Sequence, residues 1–453
     1  MKTRKFFSVA LLSLFSLTTM AQETKIAFSK PNDQNAINKF ETSKGDTSKF
    51  NGLKVKIGGN FTQQFQMLDH SNTADPNNVT IGTTTYDVNK LYPLANGFNL
   101  ATANLRFDIQ LEDGIRVALE NYMSSRHHQE FWVKGGYIQI DKLPMFNNPE
   151  WYTKYVTVKI GHFAINYGDQ QFRRSDNGNT MINAFVGNYI LDAFTTEIGG
   201  EVYIYPTSNV FLMGGITGGI INGDIKEAYT YDGKVQKKNP SFLAKAGYDS
   251  QISDDLRARL SASIYINSGT TKNSLYAGDR TGSRYYMVAE PERTVSGGAF
   301  VLTATSTNFT SGQINPGFTN KVTAFSLNPF IKYKGLELFG TYEIAHGAEL
   351  ATASNPNPKS REFTQIAGEL IYRFLKREQL FVGARYNTVK GRLIGYADDI
   401  SINRLQLSAG WYTTKNMLVK VEYVTQKYND FLATDYRNGA EFSGIMFEAA
   451  VGF

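Results

Sequence analysis

The amino-acid sequence predicts an all-β chain that folds as a transmembrane antiparallel β-barrel of about 16 strands, with short periplasmic turns and long extracellular loops. Three observations predict this class. Short segments alternate apolar and polar side chains with a period of two, as strands with two different faces do. The connections between these segments are short and long by turns. The segments continue to the last residue, Phe453.

The alternation is clearest in Leu256–Asn267, where apolar side chains are separated by mostly polar ones. The first predicted strand begins at Leu53, and Glu112-Asp113-Gly114 separates the second, Ala101–Leu111, from a third at Ile115. An acidic residue followed by Asp-Gly is typical of a tight hairpin turn. Twelve further strands are predicted, with the poorest alternation in the first two: Trp132–Asp141, Tyr155–His162, Thr196–Tyr205, Val210–Gly218, Phe242–Tyr248, Val322–Tyr333, Leu336–Ile344, Gln365–Phe374, Leu380–Tyr386, Arg404–Tyr412, Met417–Val424 and Gly444–Phe453.

The connections separate a membrane barrel from a soluble β-sandwich. Connections from even to odd strands are short, as in Lys334-Gly335, whereas connections from odd to even strands are long, as in Leu68–Gly97 and Ser268–Lys321. Short turns at one rim and long loops at the other are typical of outer-membrane barrels. Long loops without regular structure are uncommon in compact soluble domains, so the connections favour the barrel.

The composition excludes several classes of protein. The chain has no cysteine, which excludes disulfides, thiolate metal sites and cysteine nucleophiles. Its net charge of +6 comes from 47 basic residues dispersed among 41 acidic ones, so we expect no nucleic-acid partner. Beyond the N-terminus no apolar run is long enough for a membrane-spanning helix.

The N-terminus has the pattern of a secretory signal. Basic residues precede the apolar stretch Phe6–Leu17, and Thr19-Met20-Ala21 supplies small residues before a cleavage site. We therefore expect residues 1–21 to be a cleavable signal peptide that exports the chain to the bacterial outer membrane. Residues 22–52 are predicted to form a polar periplasmic N-terminal segment or a plug, and residues 53–453 the transmembrane barrel.

The third long loop, Phe163–Ala193, is predicted to constrict the lumen. It carries many apolar and aromatic side chains, which indicates that it packs against the inner wall rather than lying in solvent. Inward packing would place charged side chains in the lumen, with the arginines as anion-facing donors. The predicted constriction residues are Tyr167, Asp169, Arg173, Arg174 and Asp176. The alternative is a loop at the outer rim or against a partner chain, with the arginines paired to Asp169 and Asp176.

The predicted polar faces carry similar numbers of basic and acidic residues, so lumen charge alone does not dictate selectivity. The simplest interpretation is that most of them pair with one another in a water-filled lumen. The basic residues predicted on the lumen wall are Arg106, Arg116, Arg257, Arg259, Arg373, Arg385, Arg404 and Lys420.

Four segments resemble the porin O/P family, named for phosphate-selective porins, in its Bacteroidota-type members. They are V-K-I-G-H-F at Val158–Phe163, N-Y-G-D-Q-Q-F-R-R-S-D-N-G-N at Asn166–Asn179, T-T-E-I-G-G-E-V-Y at Thr195–Tyr203 and the terminal F-E-A-A-V-G-F. The resemblance implies a general porin, trimeric or monomeric. We expect a water-filled diffusion channel for small hydrophilic solutes, with a weak preference for anions or phosphate. Phe453 resembles the C-terminal signal read by barrel-assembly machinery.

Two other functions stay open at this stage. Ser268–Lys321 could dock a partner on a non-conducting structural barrel. A barrel-embedded hydrolase is the other alternative, although none of the five histidines belongs to a catalytic spacing. We expect no catalytic residues, no cofactor and no metal. The expected partners are outer-membrane lipid, small hydrophilic solutes or anions, the barrel-assembly machinery and further copies of the chain in a homotrimer.

Overall fold

The predicted alternating segments close into a β-barrel in the computed structural model. The structure describes residues 25–453 except 43, 47, 128–129, 220–227, 232 and 279. Within these residues, sixteen antiparallel strands pair in sequence order, and the last strand pairs with the first. The predicted fold class is confirmed. The predicted signal peptide, residues 1–21, lies outside the described residues.

The barrel strands follow one another around the wall in chain order. They are β1 (Lys54–Ser71), β2 (Gly97–Glu112), β3 (Ile115–Ser124), β4 (Trp132–Ile140), β5 (Val156–Ala164), β6 (Thr196–Ile204), β7 (Val210–Thr217), β8 (Ser241–Gln251), β9 (Leu256–Asn267), β10 (Lys321–Tyr333), β11 (Leu336–Ala348), β12 (Arg361–Phe374), β13 (Leu380–Gly391), β14 (Ile400–Thr414), β15 (Met417–Asn429) and β16 (Glu441–Gly452). The two segments with the poorest alternation are β4 and β5.

Regular structure outside the wall is short. Three two-stranded hairpins lie in the long loops, and neither they nor the helices were predicted: Asn78–Ile81 with Thr84–Asp87, Ala228–Tyr231 with Lys234–Lys237, and Arg293–Ser296 with Ala299–Leu302. The single α-helix of the described residues, α1, spans Glu150–Tyr155, and 3-10 turns occur at Gln34–Ala36, Pro144–Phe146 and Gln170–Phe172. No helix in the described part of the chain has the length and apolar character needed to cross a membrane.

The apolar side chains of the wall point outward and the polar ones point inward. On β9, Leu260 is 51% exposed, whereas its neighbour Ser261 is 1% exposed. A soluble protein buries the apolar face, so this reversed arrangement requires an apolar surrounding on the outside. Closing the sheet pairs the backbone groups of every strand, as the hydrocarbon core of a bilayer demands.

Exposed aromatic residues lie near both rims, and Phe98 and Phe242 are examples near the long loops. Tyr248, Tyr333, Tyr372, Trp411 and Phe453 are all exposed and lie near the short turns, where they fit an interfacial girdle. Four other exposed aromatic residues lie about halfway along their strands: Tyr342, Tyr386, Tyr423 and Phe447.

The two rims differ as the sequence predicts. Short connections, such as residues 113–114, 334–335 and 415–416, all lie at one rim, and only the connection carrying α1 is longer there. The opposite rim carries the long loops, of which two matter most below. We call residues 165–195 loop 3 and residues 268–320 loop 5.

Candidate site in the barrel lumen

Loop 3, loop 5 and the N-terminal segment occupy much of the lumen. In loop 3, Phe185 and Ile190 are fully buried, and so is Tyr285 of loop 5. Ile190 and Tyr285 belong to one apolar cluster with residues of the barrel wall. Residues 26–42, which we call the strap, enter from the short-turn rim and bury Phe40 against Phe330 of β10.

Carboxylates on the inner wall hold loop 3 in place. Glu369 on β12 accepts hydrogen bonds from the Tyr189 hydroxyl at 2.5 Å and from Nε of Arg173 at 3.0 Å. Glu422 on β15 accepts the backbone N–H of Val186 at 2.8 Å. These glutamates are buried, so their hydrogen bonds and ion pairs replace lost hydration. Loop 3 therefore compensates charges that the wall presents to the lumen.

Basic side chains of the wall bind backbone carbonyl oxygens of loop 3. Each of three donates to a backbone oxygen of loop 3: Lys420 to Phe185 at 2.8 Å, Arg385 to Gly187 at 2.9 Å and Arg404 to Asn188 at 2.5 Å. Loop 5 is tied in a similar way, because Arg284 pairs with Glu448 at 2.8 Å and the Tyr285 hydroxyl donates to Glu422 at 2.7 Å. Much of the charge on β12–β16 is thus engaged by loops 3 and 5.

Both arginines of the predicted constriction are buried in ion pairs. Arg173 contacts Glu369 at 3.0 Å and Glu337 at 3.4 Å, and it also donates to Asn38 of the strap. Arg174 pairs with Asp192 at 2.7 Å. Neither arginine lines the open cavities described below.

The other predicted constriction residues also bind the wall. Lys245 and Arg259 contact Asp169 at 2.7 and 2.8 Å. Burial alone would raise the pKa of Asp169, but these two cations hold it well below its ordinary value. The alternative pairing, in which Asp169 and Asp176 bind the two arginines, is absent among the described contacts.

The remaining two residues lie on opposite sides of loop 3. Asp176 pairs with Lys134 of β4. Tyr167 donates to Glu343 of β11 at 3.3 Å, and burial together with that carboxylate raises the pKa of the Tyr167 hydroxyl well above its ordinary value. Tyr167 is therefore a hydrogen-bond donor at physiological pH.

Two cavities remain beside these segments. The first, the lumenal cavity, has a volume of about 240 Å³ and lies between β2–β6 and one side of loop 3, which contributes Gln171 and Asp176 to its lining. The second, the vestibule, has a volume of about 990 Å³ and lies at the short-turn rim, lined by the β6–β7 turn, Asp249, Arg257 and Arg259. Strap residues, including Lys30 and Glu41, line both cavities. The open space is therefore displaced to one side of the barrel.

Basic residues outnumber acidic ones around the lumenal cavity. The six basic residues are Lys30, Lys39, Arg106, Arg116, Lys134 and Lys159, and the three acidic ones are Glu41, Glu120 and Asp176. The Lys159 ammonium lies 3.9 Å from the centre of the Phe163 ring, and its nearest carboxylate contact, to Glu201, is 3.7 Å. This long ion pair leaves the ammonium able to attract a solute anion.

The predicted wall residues fall into three groups. Arg106 and Arg116 line the lumenal cavity, and Arg257 and Arg259 line the vestibule. The other four are buried: Arg373, Arg385, Arg404 and Lys420.

Sequence reasoning missed four basic residues of the lumenal cavity, which are Lys30, Lys39, Lys134 and Lys159. Lys134 and Lys159 lie on β4 and β5, where weak alternation obscured which face is inward. The other two lie in the polar N-terminal segment, whose sequence has no period. The two-residue spacing of Lys159 from Gly161 and Phe163 was the signal that could have placed it inside.

Comparisons with known proteins identify the class of fold. No family model matches the chain, and no curated protein matches it. The outer-membrane channel DcaP of Acinetobacter baumannii has a TM-score of 0.50 at 12% identity, over 89% of this chain and 98% of that one. An anion-selective porin from Comamonas acidovorans has a TM-score of 0.49 at 10% identity, over 88% of this chain and 100% of that one. Salmonella typhi OmpF in complex with daunomycin has a TM-score of 0.47 at 12% identity, over 89% of this chain and 98% of that one.

At these identities the likeness to DcaP shows the fold alone. The chain therefore has the barrel fold of an outer-membrane channel. The more specific resemblance to the porin O/P family stays a prediction.

Replacing Arg174 with Ala tests whether buried ion pairs hold loop 3. The change leaves Asp192 buried without its guanidinium partner, so we expect loop-3 docking to lose about 3–5 kcal/mol. Hydrogen exchange or limited proteolysis of loop 3 measures the loss. The matched control is Arg392→Ala, whose ion pair with Asp399 at 3.2 Å is largely exposed and should contribute at most about 1 kcal/mol. Equal loop-3 protection in both variants would contradict the proposed anchoring.

Proposed function

We propose that the chain is an outer-membrane channel that passes small hydrophilic solutes, with a preference for small anions. The observation that carries this proposal is the lumenal cavity, in which six basic residues face three acidic ones inside a closed barrel. A sixteen-stranded barrel is wide enough for an aqueous channel. Its fold likeness to a known outer-membrane channel supports the same conclusion.

The proposed passage runs along β2–β6 and continues through the vestibule. Basic side chains along it lower the electrostatic energy of an anion and replace part of its hydration. Arg106 and Arg116 both pair with Asp108 at 3.1 Å, so their charge is partly compensated. Lys159 is compensated less closely, so it attracts a passing anion more strongly than either arginine does. The expected result is weak selectivity rather than tight binding of one solute.

The proposal includes four further points. They are a preference for phosphate, assembly as a homotrimer, contact with outer-membrane lipid, and export to the bacterial outer membrane by way of the signal peptide. Recognition of Phe453 by the barrel-assembly machinery belongs to it too. Phe453 is 58% exposed, and its carbonyl accepts a hydrogen bond from the backbone N–H of Gly59 at 3.0 Å. Its ring is therefore accessible on the outer surface, as such recognition requires.

A non-conducting structural or partner-docking barrel is the second candidate, because loop 3, loop 5 and the strap fill so much of the lumen. Current across a planar bilayer separates the two. The hydrolase alternative has less support. His70, His127, His162 and His346 are the described histidines, and none of them hydrogen-bonds a serine hydroxyl among the described contacts.

Neutralising the basic side of the passage tests the proposed selectivity. In the double variant Arg106→Gln, Lys159→Gln, we expect the chloride-to-potassium permeability ratio to fall, because two cations leave the cavity wall. Reversal potentials in planar bilayers under a salt gradient measure this ratio. The control is Lys390→Gln, Lys427→Gln, which removes the same charge from two exposed side chains outside the cavity. A ratio unchanged in the cavity variant would contradict the proposed passage.

The strap makes the selectivity depend on pH. Burial lowers the pKa of Lys30 to about 7, with Lys159, Arg106 and Lys245 adding repulsion and Glu41 opposing them. Lys30 is therefore charged below pH 7 and neutral above it, so we expect anion preference to rise as pH falls through 7. Reversal potentials from pH 6 to pH 8, that is, about one unit either side of this pKa, measure the change.

Lys30→Met should remove most of this pH dependence. His162 also lines the cavity, and if its imidazole rather than Lys30 were the titrating group, the pH dependence would persist in that variant. An unchanged pH profile in Lys30→Met would therefore assign the effect away from Lys30.

A further inference from the structure

We propose that the strap is an internal gate, which separates the lumenal cavity from the vestibule and must move aside for full conductance. This inference rests on the proposed channel function. It assigns the N-terminal segment a role in controlling flux.

The strap crosses the bore of the barrel. Near its beginning, the Asn32 side chain donates to the carbonyl of Phe453 at 3.0 Å. The backbone N–H of Gln34 then donates to the carbonyl of Lys415, in the β14–β15 turn, at 2.8 Å. At its end, the Thr42 carbonyl accepts the Tyr205 hydroxyl at 2.7 Å, beside β6. These contacts lie on different sides of the wall, so the strap spans the opening between them.

Ion pairs and hydrogen bonds fasten the C-terminal half of the strap. The Glu41 carboxylate contacts Lys245 of β8 at 3.0 Å and Arg259 of β9 at 2.7 Å. The Asn38 side chain donates to Glu337 of β11 at 2.6 Å and accepts from Arg173 of loop 3. Glu41 also accepts from the Asn166 side chain of loop 3 at 3.1 Å. The strap is thereby joined to the wall and to loop 3 at once.

Aromatic rings pack around the strap beside these polar contacts. Phe40 is 2% exposed, and its ring packs edge-on against Phe330 at 5.4 Å and Phe172 at 5.8 Å between centroids. The Arg259 guanidinium lies 4.1 Å from the centre of the Phe40 ring. Aromatic and cation–π contacts of this kind stabilise the strap against the wall and exclude water from the contact.

The position of the strap relative to the open space is what makes it a gate. Five of its residues line both the lumenal cavity and the vestibule: Lys30, Pro31, Lys39, Glu41 and Thr42. A solute that passes from one cavity to the other must pass these residues. Removing them would join the two spaces.

The strap can leave without opening the barrel. Its only regular structure is the 3-10 turn Gln34–Ala36, and it contributes no strand to the sheet. Its contacts with the wall are mainly side-chain hydrogen bonds, ion pairs and ring packing. The closed ladder that a membrane barrel requires is therefore independent of the strap.

Deleting residues 26–42 from the full chain tests the gate. We expect single-channel conductance in planar bilayers to rise roughly twofold or more, since the lumen of a sixteen-stranded barrel is an aqueous channel when unobstructed. Equal conductance in the deletion and the parent chain would overturn the gate but leave the channel standing. The absence of current with both proteins would overturn the proposed channel function itself.

A charge reversal tests the gate with the chain length unchanged. Glu41→Lys places a third cation beside Lys245 and Arg259, so we expect the strap to be released and conductance to rise as in the deletion. Glu150→Lys is the control, because it makes the same charge change on an exposed residue of α1. Conductance that stays at the parent value in Glu41→Lys, in a barrel that remains folded by its heat-modifiable gel mobility, would overturn the gate.

A reversible crosslink tests the gate in the opposite direction. The chain has no cysteine, and the Asn38 and Glu337 side chains meet at 2.6 Å, so Asn38→Cys with Glu337→Cys supplies the only cysteine pair for an oxidative crosslink between strap and wall. We expect low conductance when it is oxidised and higher conductance after reduction, whereas Asn38→Cys alone should not respond to oxidant. The same conductance in both redox states would overturn the gate.

Discussion

The structure depends on how the inner wall of the barrel satisfies its buried charges. A closed sheet in a membrane must turn its polar side chains inward, and this concentrates carboxylates, guanidinium groups and ammonium groups in a confined lumen. Glu369 and Glu422 are satisfied by donors of loop 3, and Arg385, Arg404 and Lys420 by its carbonyl oxygens. Loop 3 is therefore held inward because the wall needs its polar groups as much as the loop needs the wall.

This constraint explains why the open space is off-centre. Charges on β12–β16 are engaged by loops 3 and 5, while Arg106 and Lys159 on the other side still line a cavity. Equal numbers of basic and acidic residues on the whole wall do not make the passage electrically neutral. Charged side chains that pair with the loops contribute little to the electric field that a solute meets. Selectivity is then set by the residues that the loops leave uncovered, and the strap adds Lys30 to them.

Much of the fold followed from the sequence because it depends on local patterns. Period two and the sorting of connections by length are enough to predict the strands and the closed sheet, and β9 was predicted with its observed bounds, Leu256–Asn267. The site was harder, because its contacts join distant parts of the chain. Arg173 binds Glu337 and Glu369, which lie 164 and 196 residues away. Nothing in the local sequence distinguishes these glutamates from other inward-facing acidic residues. The strap has no hydrophobic period, so its sequence does not predict which of its side chains face the wall.

The accessibility of engineered thiols distinguishes an off-centre passage from a central one, because the chain has no native cysteine. Gln139 is 5% exposed and lines the lumenal cavity, whereas Gln406 is fully buried beneath loops 3 and 5 and lines neither cavity. A charged thiol reagent added to conducting channels should reduce the current through Gln139→Cys and leave Gln406→Cys unaffected. Modification of both at similar rates, or of Gln406→Cys alone, would contradict an off-centre passage along β2–β6.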